Sequence, residues 1–100
     1  MTGGKGPVPA GRDARILVVD DSTFVRKALR RVFEARPGLA VAGEAGDGLE
    51  AVRMCATLAP DIVTLDIQMP GMDGLSALRE IKRRWPSLPV LVLASAASNG

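Results

Sequence analysis

Apolar residues along this chain fall into two kinds of pattern. Short, nearly continuous runs stand at residues 16–19 (ILVV), 39–42 (LAVA), 62–65 (IVTL) and 90–93 (VLVL). Between them lie longer stretches in which apolar residues recur every three or four positions. The first holds Val25, Ala28, Leu29, Val32 and Phe33, the second Ala51, Val52, Cys55, Leu58 and Ala59, the third Leu75, Leu78, Ile81 and Trp85. Runs of the first kind suit strands covered on both faces, as in a parallel sheet. The second kind lays one apolar stripe along a helix.

Punctuation agrees with this reading. Pro37-Gly38 stops the first helix, Asp47-Gly48 makes a turn before the second, and Pro60 closes the second. A loop with two glycines and a proline precedes the third helix, and Pro86 ends it. The pattern therefore predicts strands over about 16–19, 39–43, 62–65 and 90–93, and helices over about 22–35, 49–58 and 75–85. Asp21 or Ser22 is placed to cap the first helix, and Asp73 or Ser76 the third. The order β-α-β-α-β-α-β calls for an α/β domain with a doubly wound parallel sheet and helices on both faces. Right-handed crossovers leave few topologies open. Residues 1–14, rich in glycine and proline, read as a disordered leader, and 15–100 as the domain. The last apolar run would leave a bare sheet edge, so a further helix–strand unit is expected beyond Gly100.

Composition narrows the function classes. A chain of 100 residues makes one domain. Thirteen basic and eleven acidic side chains give a net charge of +2, without the clustering of a nucleic-acid binder. Arg26, Lys27, Arg30, Arg31 and Glu34 lie off the first helix's stripe and read as a solvated face. Cys55 is the only cysteine and histidine is absent, which excludes an internal disulfide and a serine–histidine hydrolase and disfavours a zinc site, since carboxylates would have to supply nearly all of its ligands. Cys55 itself reads as a small buried hydrophobe. No stretch reaches membrane-spanning length and the start has no apolar signal region, so a cytoplasmic location without membrane contact is expected.

The candidate chemistry is acidic. Asp20 and Asp21 leave the end of the first strand, and Asp66 leaves the end of the third. Ligands of parallel α/β sheets bind beyond the carboxyl ends of the strands. If the first and third strands are neighbours, the three carboxylates converge. One aspartate alone would read as a loop cap, but an acidic pair facing a third acid calls for a divalent cation to offset repulsion. Oxygen-only ligands favour Mg2+ over zinc. Such a site suits phosphoryl transfer, with Asp66 as nucleophile and Asp21 as a direct metal ligand. Asp20 would act through a metal-bound water or help place the ion, and Gln68 would lend its backbone carbonyl. No P-loop and no G-x-G-x-x-G after the first strand occurs, so the phosphoryl donor is expected on a partner protein.

The segments RILVVDDS (15–22), GEAGDGLEA (43–51), PDIVTLDIQMPGMDGL (60–75) and LPVLVL (88–93) resemble the bacterial response-regulator receiver family, over about residues 15–97. The resemblance implies a flavodoxin-like (βα)5 domain, here lacking its last unit. It also implies phosphoryl transfer from a sensor histidine kinase to Asp66 with Mg2+ present. Family roles fall on Asp20 and Asp21 as the acidic pair and on Gln68 as a backbone metal ligand. The family's switch hydroxyl would fall on Ala94, with Ser95 beside it, and its lysine after strand five has no counterpart. VDDSTFVRKALRR and PDIVTLDIQMPGMDGLSALREI are most similar to receivers of chemotaxis protein-glutamate methylesterases, which implies a chemotaxis kinase as donor and a serine-hydrolase output domain. PSLPVLVLASAAS is similar instead to receivers of helix-turn-helix transcription regulators, and the TLDI pattern is shared with stand-alone chemotaxis regulators. A pseudo-receiver that only binds partners and a metal-dependent phosphate-ester hydrolase are the remaining alternatives.

Overall fold

The computed structural model describes residues 8, 11–69 and 74–94. Strands β1 (Ala14–Val19), β2 (Leu39–Ala45), β3 (Ile62–Asp66) and β4 (Val90–Leu93) alternate with helices α1 (Thr23–Glu34), α2 (Gly48–Leu58) and α3 (Gly74–Arg84). All pairings are parallel, in the order β2-β1-β3-β4. This is the expected doubly wound, flavodoxin-like arrangement, with four strands in its sheet. Because β1 sits between β2 and β3, right-handed crossovers send α1 to one face and α2 to the other. Helices α2 and α3 pack together, and α1 lies against β1 and β2.

The central strands explain themselves. Ile16, Leu17, Val18 and Val19 are all buried, as are Val63, Thr64 and Leu65 of β3. Alternate residues serve opposite faces. Leu17, Val19, Val63 and Leu65 join Ala51, Val52, Cys55, Ala77 and Ile81 in the core beneath α2 and α3. Each fully buried leucine or isoleucine there contributes about 1.5–3 kcal/mol. Cys55 belongs to this core, and burial pushes its thiol pKa up to about 11. β4 takes the sheet edge, with Leu91 and Val92 partly exposed.

Several expected boundaries and faces shift. β1 begins at Ala14, inside the segment read as leader, because Ala14 N–H donates to the Gly38 carbonyl at 2.8 Å. Ahead of it, Arg12 forms a two-pronged pair with Asp61, both contacts at 2.9 Å. β2 runs two residues past the expected end and so includes Glu44. Ser22 is the α1 cap, its hydroxyl accepting from Val25 N–H, and Asp47 caps α2. Ala59, expected on the α2 stripe, instead ends the helix in the left-handed region (φ 47°). Asp73 lies outside the described residues, and Ser76 falls within α3, not at its cap. Leu75 points outward, and α3 buries Gly74, Ala77 and Ile81 instead. On α1, Val25, Leu29 and Phe33 are half-buried while Ala28 and Val32 are exposed.

The basic face of α1 is the largest correction. Arg26 and Arg30 are not solvated bystanders. They converge on Glu44 of β2, with Arg26 Nε at 3.2 Å and Arg30 Nε at 2.7 Å, and Lys27 adds a third contact at 3.3 Å. An arginine stem can run along an apolar helix face and deliver its head to a half-buried acceptor. The Glu44 carboxyl is held below its ordinary value, chiefly by the Arg30 hydrogen bond.

Two glycines make contrasting predictions. A Cβ on Gly74 would overlap Ile67 backbone, including the carbonyl carbon and oxygen at 2.8 Å, which cannot yield without moving the loop after β3. A Cβ on Gly43 would meet only the ends of Met54 and Leu58, at 2.7 and 2.8 Å. Gly74→Ala is expected to cost about 2–3 kcal/mol and Gly43→Ala about 1 kcal/mol or less, read as urea midpoints.

Glu44 makes a pH-dependent one. A depressed carboxyl contributes stability above its unfolded pKa and loses it as pH falls through the lower folded value. Glu44→Gln should therefore lower the melting temperature fully at pH 7, and the gap to wild type should close as pH falls below 4.5. Thermal unfolding across that range checks it.

Candidate functional site

Val19 of β1 stands opposite Leu65 of β3 in the parallel ladder. One step further along both strands therefore brings Asp20 beside Asp66. Both are buried, at 6% and 9% exposure, while Asp21 is exposed at the rim. Carboxylate oxygens of Asp20, Asp21 and Asp66 all lie within 4.8 Å of one another. They border a cleft of about 450 Å³ whose other walls include Ser22, Val25, Gln68 and Ala94.

Backbone groups orient the two buried acids in the same way. Ser22 N–H donates to Asp20 Oδ1 at 2.9 Å, and Gln68 N–H donates to Asp66 Oδ1 at 2.9 Å. Each is a side chain bonded to the amide two residues on, the turn that aspartate favours. The second carboxylate oxygen takes no part in that turn. Asp20 N–H is itself anchored to the Ala45 carbonyl at 3.0 Å, so the loop leaves a fixed strand end.

Electrostatics make the cluster costly when empty of a counter-charge. Burial pushes the Asp20 carboxyl above its ordinary range. The Ser22 amide opposes this, and the charges of Asp66 and Asp21, with an Asp66 hydrogen bond, add to the rise. Like charges crowded in a low-dielectric cleft disfavour ionisation. The donor set is entirely oxygen, which fits a hard divalent cation and not zinc.

The three acids named from sequence thus meet as expected. Gln68 borders the cleft and presents its N–H to Asp66. Ala94 lines the cleft because Leu93, just before it, pairs with Asp66 across β3 and β4. Ser95 lies outside the described residues. Sequence reasoning missed Arg26, whose Nη1 donates to the Asp20 carbonyl at 2.6 Å. The available signal was Glu44, a lone charge in an otherwise apolar and glycine-containing strand. Among the described residues, no helix is long and apolar enough to cross a membrane.

The model of the response regulator receiver domain matches residues 16–99. The chain belongs to the response regulator receiver family. A protein-glutamate methylesterase/protein-glutamine glutaminase of Pyrococcus horikoshii is 48% identical over 90 residues, covering 90% of this chain and 24% of that protein. The chain thus spans about a quarter of the length of such curated relatives. The response regulator domain of Thermotoga maritima CheB superposes with a TM-score of 0.79 at 42% identity, covering 89% of this chain and 66% of that one. The CheX–CheY–BeF3–Mg2+ complex from Borrelia burgdorferi matches with a TM-score of 0.79 at 37% identity, covering 84% and 63%. This receiver is closely related to those of CheB-type methylesterases.

In the receiver, the raised Asp20 pKa makes a signed prediction. The penalty of ionising Asp20 in the folded state is absent below the unfolded value of 3.8, accrues as pH rises from there and is complete above the raised folded value. Without divalent cation, Asp20→Asn should unfold at higher urea than wild type near neutral pH. The advantage should vanish as pH falls below 3.8. Adding Mg2+ should stabilise wild type more than the variant.

Proposed function

We propose that Asp66 is the phosphoryl acceptor of this receiver and that Mg2+ is held beside it by Asp21, Asp66 and the Gln68 backbone carbonyl, with Asp20 acting through a bound water. The convergence of three carboxylates within 4.8 Å at the ends of β1 and β3 carries this reading. Mg2+, when bound, offsets charge on the transferring phosphoryl group and helps to align it.

The chain's own residues supply the rest. Gln68 N–H holds Asp66 Oδ1, which leaves Oδ2 as the attacking oxygen. Phosphorus forms a bond to that oxygen as its bond to the donor breaks, giving an acyl phosphate on Asp66. Membership of the receiver family supports a phosphohistidine of a partner kinase as the donor. Ala94 brings no hydroxyl to the cleft, and Ser95 is the next residue that carries one.

Relatives suggest the wider setting. The identity to protein-glutamate methylesterases supports a receiver that controls a methylesterase output domain, phosphorylated by a chemotaxis histidine kinase in the cytoplasm. The Borrelia complex, which carries BeF3 and Mg2+, supports the cation and the phosphoryl site. An acyl phosphate adds negative charge beside Ala94 at the end of β4, where it biases packing of the surface a partner reads.

Intact-mass measurement after incubation with acetyl phosphate and Mg2+ tests the acceptor. Wild type should gain one phosphate. Asp66→Ala should gain none, and Asp21→Asn should gain it far more slowly. An equal gain in Asp66→Ala would remove Asp66 from the role.

A further inference from the structure

Arg26 reaches from α1 back to the acidic loop. Its side chain is only 17% exposed. Nη1 donates to the Asp20 carbonyl at 2.6 Å, Nη2 to Thr23 Oγ1 at 3.1 Å, and Nε to Glu44 Oε1 at 3.2 Å. One planar fork therefore ties together the loop after β1, the first turn of α1 and strand β2. Gly46 leaves room for it, since a Cβ there would stand 3.3 Å from Nη1.

The Asp20 carbonyl is not a neutral choice of anchor. It belongs to the peptide unit that joins Asp20 to Asp21. Holding that plane restricts the rotation that carries the Asp21 side chain, while Ser22 N–H restrains the Asp20 side chain at 2.9 Å. Mutual repulsion would otherwise swing exposed Asp21 away from its buried partners. We propose that Arg26 is a positioning residue for the cation site, fixing the Asp20–Asp21 peptide so that both carboxylates face Asp66. This rests on the cation-binding reading of the cleft given above. The guanidinium acts through geometry, by engaging a carbonyl and leaving the carboxylates free for the ion. Lysine cannot replace it, because a single ammonium lacks the fork that spans three acceptors.

Calorimetric titration of the purified protein with Mg2+ at neutral pH tests this, beside urea unfolding without the metal. Outer partners of metal ligands typically set affinity by 10–100-fold. Arg26→Lys and Arg26→Gln should each weaken Mg2+ binding by about tenfold. Ile81→Val, a core change on α3 at a residue that does not line the cleft, is the control for lost stability and should leave the affinity within about twofold of wild type. Should Arg26→Gln fail to fold, Arg26→Lys carries the test, since it keeps the charge facing Glu44. Wild-type affinity in Arg26→Lys would overturn the proposal, as would an equal loss in Ile81→Val. Absence of Mg2+ binding in wild type, or equal binding in Asp21→Asn, would instead overturn the cation reading on which it rests.

Discussion

Repulsion among three carboxylates is the constraint around which this receiver is organised. Parallel pairing of β1 with β3 leaves Asp20 and Asp66 abreast at the same strand ends, and the chain's next residue adds Asp21. Nothing in the local backbone would choose that crowding. It persists because the central strands beneath are buried, because two backbone amides each restrain one acid, and because Arg26 grips the connecting peptide. The cluster is thus strained by its own charge and supported by packing elsewhere, which is the usual logic of a pre-organised site.

The two faces of the sheet contribute differently. Beneath α2 and α3 lies a dry core of aliphatic side chains that holds β1 and β3 in register. On the other face, α1 packs with half-buried residues and relies on an ionic contact, Arg26 and Arg30 on Glu44, to fix its position over β1 and β2. A partly buried ion pair is weak evidence for stability by itself. Here it has a second consequence, since the same guanidinium holds the Asp20 carbonyl and so couples helix placement to site geometry. Gly74 plays a comparable steric part on the other side, letting α3 start against Ile67 just past Asp66.

Family membership and site geometry answer different questions. The match over residues 16–99 and the likeness to CheB-type receivers say what kind of domain this is. The positions of Asp20, Asp21 and Asp66 say where its chemistry would take place. Ala94 marks a local departure: the cleft wall opposite Asp66 carries a methyl group at the place where the resemblance expects a hydroxyl.

Strand runs, helix stripes and their order were legible in the residues, because continuous apolar runs and three-to-four spacing report burial directly. So were the three acids, since strand ends in a parallel sheet are where ligands bind. Which acids became neighbours was not local information, and it needed β1 to lie between β2 and β3. The same holds for helix faces. Leu75 and Val32 fit a stripe by spacing yet face outward, because the stripe that packs is chosen by the neighbouring element, not by periodicity alone. Arg26 fails in the opposite sense: its charge reads as solvent-seeking, and only the tertiary approach of Glu44 and the Asp20 carbonyl gives it acceptors away from open solvent. The residues by themselves determined the elements and the acidic chemistry, whereas the folded arrangement decided which charges meet, because meeting depends on distances between segments far apart along the chain.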